Sequence, residues 1–302
     1  MSISIPPAIQ FVKTQNTVSL TDSIQRHTLR IGQILLEMGK ITREDTERIL
    51  QLQKKNQIRF GEAAKQLGLV SDIDVQHAMT YQFGSSHQLP KQAGTTPELP
   101  VIDQPGGTLA ESIRSVRTQL MLRGFPSKQN VLAVVGVRQD CGTSRFAANL
   151  AALYSQLDKR TLLIDANFRN PVQHQIFGLT DKHGLSDMLA GHTVITDVMV
   201  TIESLPNLTI LPAGTLPPHS SELLGMSTFN STHELLAGQF DVVLYDTPGY
   251  MESTDALLIA NNCDYVLLAV HKNQSRLDDV IAVSKQMADN GTTIIGTVLV
   301  DY

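Results

Sequence analysis

The chain has 302 residues, of which 42% are hydrophobic and 18% charged, and its net charge is −5 at pH 7. The length allows two domains, and the negative charge argues against a protein that binds nucleic acid polymers. Two cysteines, Cys141 and Cys263, are too few for a disulfide framework and suit a reducing compartment. The sequence shows neither a membrane-spanning run nor a signal peptide, so we expect a cytoplasmic protein.

Composition divides the chain into four parts. Residues 1–24 are polar and aperiodic and are predicted to form a flexible arm. Residues 25–83 are rich in helix formers with apolar residues every three or four positions, which predicts a small all-α domain. Residues 84–107 are dense in Pro, Gly, Ser and Thr and are predicted to be a linker. Residues 108–302 form the remaining domain.

The helical region contains a tandem repeat. The segment "RIGQILLEMGKITREDTERILQLQ" (30–53) aligns with "RFGEAAKQLGLVSDIDVQHAMTYQ" (59–82) at a constant offset of 29 residues. In each copy a glycine follows the first predicted helix, and Thr42 or Ser71 is placed to cap the second. A duplicated helical unit is therefore predicted, and a docking module is its simplest function.

The region after residue 108 alternates short apolar runs with helical stretches. Six runs have the length and composition of strands: 131–137, 160–166, 208–213, 241–246, 264–270 and 293–300. Such an alternation predicts an α/β fold with a doubly wound, mostly parallel sheet covered on both faces. In this architecture ligands bind at the carboxyl ends of the strands.

The segment after the first strand, "VVGVRQDCGTSRFAANLA", has the form of a phosphate-binding loop. Gly142 permits a tight backbone, and Ser144 stands where a hydroxyl would bind Mg²⁺. Thr143 stands where the G-x-x-x-x-G-K-[ST] pattern has lysine. The segment predicts a P-loop NTPase-like domain, and an ordinary turn between a strand and a helix is the alternative.

Two further predicted strands end in carboxylates, Asp165 in "TLLIDANFRNP" and Asp246 in "FDVVLYDTPG". Carboxylates at strand ends beside a phosphate loop hold Mg²⁺ and an attacking hydroxyl or water in many phosphoryl-transfer sites. Asp165 and Asp246 are therefore the candidate catalytic residues. Together with Ser144 they are the candidate Mg²⁺ ligands.

These segments together resemble the bacterial tyrosine kinases (BY-kinases) of capsule and exopolysaccharide systems, in particular the EpsG-type chain-length determinant branch. The resemblance covers residues 108–302 and includes "FGLTDKHGLSDMLAG" and "LPAGTLPPHSSELL". It implies an ATP- and Mg²⁺-dependent protein tyrosine kinase. It also implies a location at the inner membrane through a membrane partner, a polysaccharide co-polymerase or chain-length determinant protein.

The chain departs from that family at functional positions. Thr143 replaces the lysine that balances phosphate charge in the transition state, and Asn167 replaces the second Asp of a D-x-D-x-R motif. Arg138, at the position of the signature lysine in related MinD/ParA ATPases, and Arg145 are candidate replacement cations. Two functions stay open, a kinase-like regulator with a degenerate ATP site and an active tyrosine kinase. The candidate ATP- or ADP-binding residues are Arg138, Gly142, Thr143, Ser144 and Asn167.

The segment "ESIRSVRTQL" contains Glu111, Arg114 and Arg117 on one helix face. They match the E-x-x-R-x-x-R motif of BY-kinases, which implies an interface in a homo-oligomeric ring. A solvated helix face is the alternative.

The tandem repeat resembles the MshEN domain, and this resemblance implies that the repeat binds cyclic di-GMP. Arginine can bind a guanine edge or a phosphate, glutamine can meet a base edge, and glycine lets the backbone approach a ligand. The candidate cyclic di-GMP-binding residues are Arg30, Gly32, Gln53, Arg59, Gly61 and Gln82.

Overall fold

The structure, a computed structural model, describes residues 31–82, 99–127, 130–139, 142–180 and 183–301. The chain divides into two compact units, Met1–Ser85 and Ser86–Tyr302. Within the described ranges, no helix is both long enough and apolar enough to cross a membrane. The arm predicted over residues 1–24 and the candidate ligand-binding Arg30 lie outside the described residues.

The described part of the N-terminal unit forms four helices: α1 (Ile31–Glu37), α2 (Arg43–Asn56), α3 (Phe60–Gln66) and α4 (Asp72–Gln82). The two predicted caps are present. Thr42 Oγ1 accepts the N–H of Asp45, and Ser71 Oγ accepts the N–H of Asp74, each at 3.2 Å. Each Asp side chain in turn accepts the N–H of the capping residue, which satisfies donors that would otherwise lack partners at the helix start.

The first glycine of each repeat, Gly32 or Gly61, lies where two helices pack closely. A Cβ on Gly32 would lie 2.8 Å from Phe60 Cζ, and a Cβ on Gly61 would lie 2.9 Å from Val75 Cγ1. Both glycines are buried, so their missing side chains allow close packing of neighbouring helices. The prediction that Gly32 and Gly61 also let a ligand approach the backbone stays a prediction.

In the C-terminal unit, a single sheet is built from β1 (Val131–Gly136), β2 (Thr161–Asp165), β3 (Val200–Ile202), β4 (Leu205–Leu211), β5 (Val242–Asp246), β6 (Tyr265–His271) and β7 (Ile294–Val300). The strand order is β3–β4–β2–β5–β1–β6–β7. Only the pairing of β3 with β4 is antiparallel among these strands. The predicted mostly parallel α/β sheet is confirmed, and the short edge strand β3 is not among the six predicted strands.

Helices cover both faces of this sheet: α5 (Pro100–Asp103), α6 (Thr108–Leu122), α7 (Thr143–Ser155), α8 (Gln173–Ile176), α9 (Leu185–Leu189), α10 (Ile195–Val198), α11 (Ser220–Leu224), α12 (Ser227–Gln239), α13 (Asp255–Asn262) and α14 (Leu277–Asp289). Alternate residues of β1 enter two separate apolar clusters. Leu132 and Val134 pack with α6 and α7, whereas Val131, Ala133 and Val135 pack with α12 and α13. This alternation follows from the two-residue period of a strand.

The predicted linker, 84–107, extends too far towards the C-terminus. Leu99, Val101 and Ile102 are buried in the apolar cluster that includes α7. The side-chain oxygen of Asn149 on α7 accepts the N–H of Val101 at 3.2 Å. The segment from residue 99 onward is therefore part of the α/β unit, because its apolar side chains outweigh the turn-forming composition around them. Residues 83–98 lie outside the described residues.

Candidate phosphate and cation site

The candidate phosphate loop joins β1 to α7 at the carboxyl edge of the sheet. Gly142 has φ 68°, in the left-handed region that favours glycine, and is the N-cap of α7. Thr143 is buried in the first turn of the helix, and Arg145 is exposed. The N-terminus of α7 directs backbone N–H groups and the positive end of the helix dipole towards the loop. The geometry of the loop therefore suits an anion. Residues 140–141 of the loop lie outside the described residues.

Two carboxylates meet beside this loop. Asp165 lies opposite Asp246 in the register of the parallel strands β2 and β5, and both are fully buried. Burial, and after it the charge of Asp246, raises the pKa of Asp165 well above its usual value. Burial also raises the pKa of Asp246 to about 6, against side-chain hydrogen bonds from Gln173 and Ser144 that lower it. The pair therefore holds a proton to a higher pH than two exposed aspartates would.

Gln173, a buried residue that the sequence analysis does not identify, ties the two carboxylates to the loop. Its Nε2 donates to Asp246 Oδ2 at 2.7 Å and to the Ser144 carbonyl at 2.9 Å. Its backbone N–H donates to Asp165 Oδ2 at 3.0 Å. The contact with Asp246 spans 73 residues of sequence, so no local spacing motif could have revealed it.

The side-chain oxygens of Asp165, Asp246 and Gln173 are not equally available to a cation. Asp246 Oδ1 and Gln173 Oε1 are buried without a hydrogen-bond partner among the described residues. Burying an acceptor without a hydrogen-bond partner lowers the stability of the fold. Both carboxylate oxygens of Asp165, in contrast, already accept backbone N–H groups. The described residues contain no group of three or more His, Cys, Asp or Glu side chains able to hold a metal ion.

Asp246 Oδ1 and Gln173 Oε1 are each candidate ligands for Mg²⁺, which prefers oxygen ligands and keeps several waters. Asp246 is the stronger of the two predicted carboxylate ligands because one of its oxygens has no partner. Ser144 lies beside it at the start of α7. When bound, Mg²⁺ would neutralise phosphate charge there. The residues present therefore fit a cation, with Gln173 added to the predicted set.

Two predicted nucleotide-binding residues are engaged within the chain. Asn167 Oδ1 accepts the N–H of Asn170 at 3.0 Å and so shapes the turn after β2. The Nε and Nη2 of Arg138 donate to Asp279 Oδ2 on α14, at 3.1 and 2.7 Å. In this arrangement the charge of Arg138 is matched by Asp279, and it could replace the missing lysine only if that pair separated.

The predicted interface motif on α6 is also used within the chain. Glu111 forms an ion pair with Arg114, which also donates to the Pro105 carbonyl. Arg117 Nη1 donates to the Leu153 carbonyl of α7 at 3.0 Å. Burial lowers the pKa of Arg117. Arg117 therefore stabilises the packing of α6 on α7, and the exposed part of the motif is Glu111.

The candidate cyclic di-GMP residues are partly described. Arg59 is exposed just before α3, and Gln53 is half-buried on α2. Gln82 ends α4, but its side chain lies outside the described part. Leu50 and Met79 occupy equivalent positions in the two repeats, and their exposed fractions are 50% and 41%. Each precedes the glutamine of its repeat by three residues, on the same helix face.

Comparison with known proteins places the α/β unit in a family. A family profile described as cellulose biosynthesis protein BcsQ matches residues 129–285. The tyrosine-protein kinase CpsD of Streptococcus agalactiae is 32% identical over 190 residues, which are 63% of this chain and 81% of CpsD. The tyrosine-protein kinase Wzc of Salmonella typhi is 32% identical over 202 residues, 67% of this chain but only 28% of Wzc.

Solved structures agree with this relationship. The kinase domain of Escherichia coli tyrosine kinase ETK superimposes with a TM-score of 0.66 and 26% sequence identity, covering 71% of this chain and 84% of that domain. The phosphate loop and the carboxylate pair beside it agree with the similarity to these kinases. The chain belongs to the family of bacterial tyrosine-protein kinases, through its P-loop NTPase-like α/β unit.

Proposed function

We propose that the chain is a BY-kinase-like regulator of exopolysaccharide chain length and export that senses cyclic di-GMP and has a degenerate ATP site. It acts in the cytoplasm as a homo-oligomer, at the inner membrane, through a polysaccharide co-polymerase partner of the EpsG-type systems. The N-terminal repeat, an MshEN-like domain in this proposal, supplies the signal. The α/β unit supplies the output by docking on the partner.

The loss of catalytic power is supported by the position of Thr143. It lies buried in the first turn of α7, where its side chain carries no charge to balance the phosphates. Losing one preorganised group that stabilises transition-state charge costs several kcal/mol. Asp279 pairs with Arg138, so one of the two candidate replacement cations is already matched.

The observation that carries the cyclic di-GMP proposal is the pair of exposed apolar side chains Leu50 and Met79. Isolated exposed apolar residues are common on protein surfaces, but these two occupy the same position in both repeats. A two-fold ligand with two flat guanines needs two equivalent apolar contacts. Arg59 is exposed nearby in sequence, and it can offer a bidentate contact to a guanine edge or a phosphate.

A titration of the full chain with cyclic di-GMP tests this use of the two side chains. Replacing Leu50 and Met79 together by serine should weaken binding by at least about tenfold, since each loses apolar contact area with a base. Leu235→Ser is a matched control, because Leu235 is similarly exposed at 48% but lies on α12. Equal affinity of the double variant and the control would remove this support.

The second candidate function is an active ATP-dependent tyrosine kinase. It is favoured by the unpaired Asp246 Oδ1 and by the pKa of Asp246 near 6, which suits a general base near neutral pH. Incubation with labelled ATP and Mg²⁺, alone and with a membrane activator, separates the two functions. Phosphotyrosine that disappears in Asp165→Ala would establish the kinase, and its absence supports the regulator.

A further inference from the structure

The segment that follows β5 lies directly against the phosphate loop. The N–H of Tyr250 donates to the Gly136 carbonyl at 2.9 Å, and the N–H of Met251 donates to the Val137 carbonyl at 3.2 Å. These bonds continue the edge of β1 beyond the end of the strand. The segment 248–252 is therefore fixed to the beginning of the loop by backbone hydrogen bonds.

Gly249 makes this close approach possible. A Cβ at this position would lie 2.1 Å from Glu252 Oε2, 2.4 Å from the nitrogen of Gln139 and 2.5 Å from the carbonyl carbon of Arg138. The Gln139 and Arg138 atoms belong to the backbone and cannot move aside like the end of the Glu252 side chain. Any side chain at position 249 would push the segment 248–252 away from the loop.

The close approach brings a carboxylate to the loop. Glu252 Oε2 accepts the backbone N–H of Gln139 at 2.9 Å. Phosphate loops bind nucleotides through such backbone N–H groups. A carboxylate oxygen and a phosphate oxygen are both anionic acceptors, so they compete for the donor and repel each other.

The location indicates which phosphate is affected. Gln139 lies on the side of the loop that follows β1, whereas Gly142 begins α7 on the other side. The phosphoryl group that is transferred lies near the strand-end carboxylates, here Asp246 on the neighbouring strand β5. The outermost phosphate of a triphosphate would therefore meet the Glu252 side of the loop.

We propose that Glu252 is a specificity-determining residue whose carboxylate takes a backbone donor from the outermost phosphate and so disfavours nucleoside triphosphates relative to diphosphates. The proposal rests on the degenerate site described under the proposed function, because Thr143 provides no charge to offset the repulsion. It adds a specific cause for weak binding of triphosphates, which is the carboxylate of Glu252 in the chain itself.

Three variants of the full chain separate charge from geometry. Glu252→Gln keeps an acceptor for the Gln139 N–H but removes the charge. Glu252→Ala removes both, and Gly249→Ala displaces the whole segment. Glu203→Gln, an exposed glutamate in the turn between β3 and β4, is the matched control. Each protein is titrated calorimetrically with Mg-ATP and with Mg-ADP.

We expect Glu252→Gln to tighten Mg-ATP binding by at least about tenfold, as removal of one nearby like charge predicts. Mg-ADP affinity should change by less than about threefold, because a diphosphate does not reach this donor. Glu252→Ala and Gly249→Ala should gain ATP affinity in the same direction, and Glu203→Gln should match the wild type. Amide exchange at Gln139 should accelerate in Glu252→Ala.

The proposal is overturned if Glu252→Gln binds Mg-ATP no better than the wild type and Glu203→Gln, including the case in which none of them binds nucleotide. Equal gains for ATP and ADP would also contradict it. These outcomes are distinct from failure of the proposed function, which is measured by phosphotyrosine formation and by cyclic di-GMP binding in the wild-type chain.

Discussion

Asp165 stands directly opposite Asp246 across two neighbouring parallel strands, and neither carboxylate is accessible to solvent. Two buried like charges are stable only with a cation or a proton between them. Both carboxylate oxygens of Asp165 accept hydrogen bonds from backbone N–H groups, whereas one oxygen of Asp246 is unpaired. The protonation of this pair therefore controls the charge of the site.

The first prediction concerns stability and pH. The pKa of Asp246 is raised in the folded chain from 3.8 to about 6, so its contribution to stability is fully present below about 3.8 and is lost as the pH rises from there through about 6. Asp246→Asn should remove this loss and stabilise the chain at pH 7.5 by an amount on the order of 2 kcal/mol. Thermal unfolding of both proteins between about pH 3.5 and 7.5 measures this difference in stability.

The same unfolding experiment tests whether Mg²⁺ binds at Asp246. Added Mg²⁺ should raise the melting temperature of the wild type, because it binds only the folded site, and should have no effect on Asp246→Asn. A wild type that is insensitive to Mg²⁺ and melts below the variant at every pH would show that the site holds only a strained carboxylate pair.

The second prediction concerns the missing lysine. Thr143→Lys should restore a charge-assisted contact to the phosphates and strengthen Mg-ATP binding by roughly 1.5–3 kcal/mol. Thr228→Lys, which adds the same charge at an exposed position in the first turn of α12, serves as the control and should not change affinity. If Thr143→Lys gains nothing, the absent lysine is not what weakens the site.

Much of the α/β unit could be predicted from its sequence because its signals are local. Each predicted strand is an apolar run, and Gly142 precedes a helix of small residues. The contacts of Gln173 with Asp246 and of Glu252 with Gln139 join residues separated by 73 and 113 positions. Nothing in a single sequence links such pairs, since the fold alone brings them together.

Two other differences have the same physical origin. The residues from Leu99 to Ile102 lie in a stretch with the composition of a linker, yet they pack against α7. Arg117 matches an interface motif, yet it donates to the Leu153 carbonyl of its own chain. Composition and spacing describe what a residue can do, and tertiary packing decides which partner it meets.

The third prediction tests the packing role of Gly32. Gly32→Ala places a methyl group 2.8 Å from the Phe60 ring and should destabilise the N-terminal unit by about 1–3 kcal/mol through overpacking. Gln33→Ala, at an exposed position of the same helix, should have little effect. Chemical unfolding of both variants measures the difference, and equal stabilities would mean that the two helices are not in close contact.

The fourth prediction separates folding from assembly on α6. Arg117→Ala should lower stability by about 1–2 kcal/mol, because the Leu153 carbonyl loses its partner. Glu111→Ala should barely change stability but should reduce self-association if the exposed part of the motif forms a subunit interface. Light scattering and thermal unfolding of both variants distinguish the roles. A monomeric wild type at high concentration would exclude the interface.

The most direct test of the account is a calorimetric titration of the full wild-type chain with cyclic di-GMP and, in parallel, with cyclic di-AMP. We predict binding of a single cyclic di-GMP per chain, weaker at high salt because the ligand is anionic, and strong preference for guanine. The double variant Arg30→Ala/Arg59→Ala should lose roughly 3 kcal/mol or more of binding free energy, from two charge-assisted contacts. Absence of heat with cyclic di-GMP at high micromolar concentration, or equal affinity of the double variant, would contradict the account and leave a helical docking domain.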